Sequence, residues 1–247
     1  MERLEQILKL VSENERLDVN TLAEKLGVSR VTVRKDLDKL ESKGFLRREH
    51  GFAVSNSGDD LNVRLSVNYN IKFKIATKAA EFVDDGETVL IESGSTCALL
   101  AEALATYKKN ITIITNSFFI ADRIRKYDNC KVILLGGEYQ KSSQVTVGPL
   151  VKEMLKFFHV RFLFVGVDGF EDEFGFTGKD MMRTEVVSRM MAIADEVVVL
   201  TDSSKFLKAG NVSQFKLGDI NKIITDSNIP FDKETKISKS GVEIFKV

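Results

Sequence analysis

Two groups of residues in this 247-residue chain have the types and spacing to do chemistry. The first is the run Ser29-Arg-Val-Thr-Val-Arg-Lys-Asp-Leu37. Val33 and Leu37 stand four apart, as the buried side of a helix requires. Ser29, Arg30, Thr32, Arg34 and Lys35 are left for the other side. Hydroxyls donate to phosphate oxygens, a helix amino terminus attracts anions, and arginine reads guanine with two hydrogen bonds. Between Arg30 and Arg48 seven basic residues stand against three acidic ones, a local net charge of +4. Neutralising phosphates with those cations makes binding salt-sensitive. The candidate partner is double-stranded DNA. A charge run by itself fits a solvated helix just as well; the order of elements around it is what points to DNA.

The second group lies in loops that follow apolar runs. Glu92-Ser-Gly-Ser-Thr96 leads straight into a helical segment. Gly94 lets backbone approach an anion closely, and Ser95 and Thr96 add hydroxyls and N–H groups at the positive end of that helix, the makings of a phosphate cradle. Thr115-Asn116 supplies hydrogen bonds, Gly136-Gly137 gives room for a ligand against backbone, and Asp168-Gly169 offers a carboxylate partner for sugar hydroxyls. Lys205, in Thr201-Asp-Ser-Ser-Lys205, is a point charge suited to a phosphate or a carbonyl oxygen. Each of these loops also has a plain reading as a turn, a helix cap or a surface lysine. Jointly they place hydroxyls, amides, one carboxylate and one lysine along one sheet edge, which suits a sugar phosphate.

These groups need elements to position them. Leu4, Ile7, Leu8 and Val11 follow helical spacing. A second helix is expected from Asn20 as its cap, with Gly27 ending it. A third is expected from a Ser29 cap to about Lys43, with Gly44 as its stop and Val33, Leu37 and Leu40 on the buried side. Phe45–Val54 reads as two short strands joined at His50-Gly51. That wing would set Arg47, Arg48 and His50 beside the basic helix. The polar stretch 55–60 marks the boundary. The expected domains are 1–56 for DNA binding, 57–73 as linker and start of a connecting helix spanning about 66–83, and 74–247 for effector sensing.

Beyond it, β-branched-rich runs recur at Thr88–Ile91, Ile111–Ile114, Lys131–Leu135, Phe162–Val165, Val197–Leu200 and Lys222–Thr225. Helical segments at about 96–106, 117–126, 148–158 and 181–194 separate most of them. Continuous apolar strands alternating with helices predict a mainly parallel, doubly wound α/β sheet, which binds ligands at the carboxyl ends of its strands.

Lys+Arg and Asp+Glu both number 36, so any basic surface must be local. Cys97 and Cys130 form no metal-binding pattern. A single bridge between them stays open, although two scattered thiols fit a reducing compartment. Cys97 sits near a helix start, where a thiol pKa can fall, yet packing explains it as well. His159 has no visible partner, and the methionines of 181–191 read as core filler. The first residues lack a signal-peptide core and no apolar run reaches membrane length. The expectation is a cytoplasmic protein with no membrane partner, no metal and no cofactor.

Over essentially its whole length the chain resembles the DeoR family of sugar-responsive regulators. The resemblance rests on Leu22-Ala-Glu-Lys-Leu-Gly-Val-Ser, Thr32-Val-Arg-Lys-Asp-Leu and Leu40-Glu-Ser-Lys-Gly-Phe-Leu-Arg-Arg. Gly94-Ser-Thr, Thr115-Asn-Ser117, Leu135-Gly-Gly137, Gly166-Val-Asp-Gly169 and Asp202-Ser-Ser-Lys-Phe206 follow in order. It implies an operator-binding repressor of sugar or polyol catabolism, released by a phosphorylated sugar and working as a homodimer or homotetramer. It also adds Glu185, in Thr184-Glu-Val, to the effector-site candidates. The chain departs at His50-Gly-Phe-Ala53, where many members have a second glycine, and at Glu92-Ser93, where aspartate commonly precedes the loop. The sensor part also looks like ribose-5-phosphate isomerase folds, through Asp168-Gly-Phe-Glu-Asp172 and Asp202-Ser-Ser-Lys205. The alternative this implies is a phosphosugar isomerase carrying a DNA-binding domain. Against it, the glycine-rich loop with the catalytic glutamate of such enzymes is not recognisable.

Overall fold

The chain is described by a computed structural model covering residues 2–14, 16–42, 45–54 and 61–247. It divides into two compact units, 1–69 and 70–247.

The first unit contains α1 (Glu2–Asn14), β1 (Arg16–Asp18), α2 (Val19–Leu26), α3 (Arg30–Ser42), β2 (Arg47–Glu49), β3 (Phe52–Val54) and α4 (Leu61–Ser66). Ile7, Leu8, Val11, Leu22, Val33, Leu37, Leu40 and Ala53 share one buried cluster, as the helical spacing requires. Gly27 adopts the left-handed conformation (φ 64°), and Val28 N–H closes the turn on Ala23 O at 3.1 Å. The cap of α2 is Asp18 rather than the expected Asn20: its carboxylate accepts from Asn20 N at 2.8 Å and Thr21 N at 3.1 Å. The reason is non-local. Residues 16–18 form a third strand on the wing, with Asp18 opposite Phe52 and Leu17 opposite Ala53, so the chain leaves that sheet directly into α2. His50 (φ 48°) and Gly51 (φ 86°) turn the expected β2–β3 hairpin, and both positive φ values suit a tight hairpin. The expected stop at Gly44 and the polar boundary 55–60 lie outside the described residues.

The second unit runs α5 (Tyr69–Ala80), β4 (Thr88–Ile91), α6 (Ser95–Tyr107), β5 (Ile111–Thr115), α7 (Phe118–Ile124), β6 (Cys130–Leu134), β7 (Glu138–Gln140), β8 (Val145–Val147), α8 (Pro149–Leu155) and β9 (Val160–Val165). It continues with β10 (Gly169–Glu171), β11 (Gly175–Gly178), α9 (Met181–Met191), β12 (Ala194–Leu200), β13 (Val212–Phe215), β14 (Lys222–Thr225), α10 (Phe231–Lys239) and β15 (Glu243–Lys246). Seven strands form one parallel sheet in the order β15-β14-β12-β9-β4-β5-β6. Each of the six expected strands is present. The helix expected at about 66–83 is α5, which starts at Tyr69 and ends at Ala80; α4 precedes it, and Asn68 turns left-handed (φ 56°) between the two. The helix expected to reach 194 ends at Met191, since Ala194 already pairs with Val160 on the sheet. The antiparallel pieces β7–β8 and β10–β11–β13, with α10 and β15, were not anticipated. Phe170, Phe176, Phe206 and Phe215 stack beneath β10–β11–β13, with ring centroids 5.0 to 6.3 Å apart.

The chain starts the sheet at β4, works outward through β5 and β6, then crosses back to β9 on the other side of β4. The strand order therefore reverses between β4 and β9. In open α/β sheets such a reversal is where a ligand crevice forms, at the carboxyl ends of the two strands.

Candidate functional site

On the first unit, α3 turns Arg30, Val31, Arg34 and Lys35 to solvent, while Val33, Asp36, Leu37 and Leu40 are buried. Ser29 Oγ accepts from Thr32 N–H at 3.1 Å and lies 2.9 Å from Thr32 Oγ1, so both hydroxyls stand at the start of the helix. The buried carboxylate of Asp36 is clamped by α1: Arg3 Nε and Nη2 donate to it at 2.6 and 3.2 Å. Asp36 is thus a strut of the fold, and its charge is cancelled behind the basic face. Arg47 and His50 are exposed on the wing. Arg48 instead pairs with Asp38 of α3, and its N–H donates to Glu41 at 2.9 Å, which ties the wing to the helix. Phe52, at the departure from the family's usual glycine, lies under the Arg16 guanidinium, 3.8 Å from ring centroid to Cζ. Asp38 is one of the three acidic residues counted within the basic run, and nothing in the sequence marks it as the partner of Arg48; Val31 is the one exposed apolar residue among the outward positions at the start of α3.

On the second unit, Glu92–Thr96 connects β4 to α6 at the strand-order reversal, and every residue from Ile91 to Leu100 is buried. Gly94 holds φ 125°, a conformation open to glycine and strained for other residues. It places the first N–H groups of a 13-residue helix just after the carboxyl end of β4. Ser93 Oγ donates to Glu92 Oε1 at 2.5 Å. Gly166, just past β9, runs so close that a Cβ there would stand 3.5 Å from Ser93 O. The loops after β4 and β9 are therefore neighbours, which brings Gly94, Ser95 and Thr96 toward the segment holding Asp168 and Gly169. Asp168 is half-buried, and its N–H donates to Thr177 O at 3.0 Å. Gly169 is required by packing, since a Cβ would meet Lys208 O at 2.3 Å.

Thr115 and Asn116 close β5 and are fully buried. Thr115 Oγ1 accepts from Ser117 N–H at 3.1 Å. Asn116 Nδ2 donates to Thr146 O at 2.9 Å, leaving Asn116 Oδ1 buried without a protein partner. Gly136 and Gly137 do not open onto free space. Gly136 N–H contacts Met154 Sδ at 2.9 Å, and a Cβ at Gly137 would meet Val147 O at 2.5 Å. The close backbone approach expected of this pair is made to β8 and α8 of the same chain. Glu185 is exposed on α9. Gln140 Nε2 reaches the Asp180 carboxylate at the start of that helix, at 3.3 Å.

After β12, Asp202 caps the short turn Ser203–Leu207 by accepting from Ser204 N–H at 3.2 Å, and Lys205 is half-buried within it. Asp226, closing the neighbouring β14, accepts from Ser203 N–H at 2.6 Å and Ser203 Oγ at 2.9 Å. Asp226 carries the same signal as the other loop residues, a polar side chain directly after an apolar strand, and was passed over. Cys97 is buried and Cys130 half-buried, and both are free thiols. Desolvation pushes the Cys130 pKa up. His159 does have a partner, Asp195 Oδ1 at 3.0 Å, at the surface. Among the described residues no helix is long and apolar enough to cross a membrane.

A winged helix-turn-helix on one unit and a doubly wound α/β crevice on the other define a ligand-responsive transcriptional regulator. The chain belongs to the DeoR family: residues 3–59 match the DeoR-like helix-turn-helix domain and residues 67–227 the DeoR C terminal sensor domain. It is 32% identical to a lactose phosphotransferase system repressor of Staphylococcus epidermidis, over 98% of each chain. It is 30% identical to an L-fucose operon activator of Haemophilus influenzae, over 92% of each. It is 28% identical to the HTH-type transcriptional regulator UlaR of Shigella dysenteriae, over 100% of this chain and 98% of that one. Among solved structures, ribose 5-phosphate isomerase A of Methanocaldococcus jannaschii matches with a TM-score of 0.41 and 22% identity, covering 56% of this chain and 54% of that one.

Proposed function

We propose that the chain is a cytoplasmic, non-enzymatic repressor of a sugar or polyol catabolic operon, working as a homodimer or homotetramer and released from its operator by a phosphorylated sugar. Two copies of α3 enter successive major grooves of a pseudo-palindrome. Ser29, Arg30, Thr32, Arg34 and Lys35 contact the DNA, with Arg47 and His50 on the wing, and Arg48 acts mainly by bracing the wing on Asp38. The sugar's phosphate sits on Gly94, Ser95 and Thr96, and its hydroxyls meet Asn116, Asp168 and Lys205. Gly136 and Gly137, packed on β8 and α8, and Gly169, packed on Lys208, hold the surrounding loops in place rather than touching the sugar. Glu185, exposed on α9, is the outermost candidate.

The observation that carries this reading is the amino terminus of α6, presented with Gly94 at the strand-order reversal. Anions favour that position, because unpaired N–H groups and the helix dipole point the same way. The names of relatives concerned with lactose and L-fucose support a carbohydrate-linked role. The effector shifts operator affinity only by its differential affinity for two arrangements of the heads, typically about 1–3 kcal/mol, or roughly 5–150-fold.

The test is fluorescence anisotropy of the full chain on its own upstream promoter DNA, at fixed salt, against a panel of sugar phosphates and the parent sugars. One phosphate is expected to weaken binding while its parent sugar does not. Indifference to the whole panel, or turnover of a pentose phosphate, would overturn the sensor reading.

A further inference from the structure

We infer that Val31 is a base-reading residue of the recognition helix and that it reads the C5-methyl group of a thymine in each operator half-site. This rests on the reading of α3 as the DNA-contacting helix. The side chains of Val33, Asp36, Leu37 and Leu40 are buried and fix the direction of the core. At about 100° per residue, Val31 points roughly 170° away from that direction. It is therefore nearest the middle of the outward face, where a groove would be met first. Arg34 and Lys35, three and four residues on, are its neighbours on the helix surface, and both are exposed.

Val31 is 61% exposed. A lone exposed valine is ordinary on a protein surface. This one stands on a face whose other members near the helix start, Arg34 and Lys35, are cations suited to phosphates and guanine. A branched aliphatic group cannot hydrogen-bond to a base edge or a phosphate. In the major groove its one favourable partner is the thymine methyl, the single apolar group displayed there. Valine is also a poorer helix former than alanine, so its presence on a solvated face is not explained by helix stability. Ser29 and Thr32, bonded to each other, stand at the phosphate end of the helix and leave base contact to its outer face.

The experiment uses the full chain and the operator duplex footprinted from its own promoter, with each thymine replaced in turn by deoxyuridine, which lacks only the methyl. Wild-type protein is expected to lose about fourfold in affinity at one thymine, or two adjacent ones, per half-site, the worth of burying one methyl group. Val31→Ala is expected to bind the thymine and uracil duplexes equally, with a melting temperature no lower than wild type, because the side chain is exposed and alanine is the better helix former. Arg34→Ala provides the control for the underlying reading. If Arg34→Ala weakens binding but wild type ignores every uracil, or Val31→Ala keeps the wild-type preference for thymine, this assignment fails while the DNA-binding helix stands. If wild type gives no footprint and Arg34→Ala changes nothing, both fall.

Discussion

Asp226 accepts both the backbone N–H and the hydroxyl of Ser203, at 2.6 and 2.9 Å, from the end of the adjacent strand. The turn that carries Asp202 and Lys205 is therefore held from β14 as well as by its own cap. Asp226→Ala would leave two half-buried donors of Ser203 without their acceptor, at a cost of about 1 kcal/mol each, the lower end of the range for buried groups. We expect the effector concentration for half-release to rise about tenfold or more, while operator affinity without effector is unchanged. Anisotropy titrations with the best phosphate from the panel check this. Loss of operator binding in parallel would show that Asp226 supports the whole fold and not the crevice.

The elements that were legible in the sequence are those whose cause is local. Gly27 announces its turn because only a left-handed residue fits there, and Ser29 announces α3 because its hydroxyl meets the N–H three residues on. What was missed depends on partners distant in the chain. Asp18 caps α2 because β1 pairs with a strand 36 residues later (Leu17 opposite Ala53). The Gly136-Gly137 pair suggested ligand room, but whether a glycine faces a ligand or the chain's own strand is set by β8, which short polar-apolar alternation at 145–147 did not reveal. Asp38 is only one acidic residue in a basic run until the wing brings Arg48 to it.

Gly137 gives a stability prediction that separates these two meanings. With Val147 O at 2.5 Å and Val151 Cγ2 at 2.8 Å from an added Cβ, Gly137→Ala must push backbone apart. It should destabilise the second unit by about 1–3 kcal/mol, as overpacking does. Urea unfolding followed by tyrosine fluorescence measures it. An unchanged midpoint with a selectively weakened effector response would restore the glycine to the ligand.

At the cradle, Ser95→Glu places a fixed carboxylate where the phosphate is proposed to sit. The helix start favours an acidic residue, but Ser95 is buried, so a circular dichroism melt matching wild type is the control that the fold persists. Operator binding should match wild type, and no sugar phosphate should release it. A normal release curve would remove the phosphate from the α6 amino terminus.

For the DNA face, Arg34→Ala removes one exposed cation from α3. If Arg34 meets a phosphate, affinity drops equally on all sequences and the slope of log K against log salt falls by about one. If it reads guanine, the drop is about 1–3 kcal/mol and is confined to the specific site. Salt titrations on operator and random duplexes distinguish the two, and an unaltered affinity on both would place DNA elsewhere.

Asp18 makes the stability of the head depend on pH. The Thr21 hydroxyl and the Thr21 and Asn20 N–H groups donate to its carboxylate and hold its pKa below the ordinary value. A depressed carboxylate binds fewer protons in the folded state than in the unfolded one, so its contribution is complete above the unfolded pKa, about 3.9. It disappears as pH falls through the folded value. Asparagine caps helices as well as aspartate does but does not titrate there, so Asp18→Asn isolates the charge. At pH 6 the wild type should resist thermal loss of helical circular dichroism better than the variant. The difference should shrink below about pH 4, as the carboxyl of Asp18 takes up its proton. A gap that stays constant down to pH 2.5 would mean that asparagine merely fits the turn less well, and that the ionised cap contributes nothing.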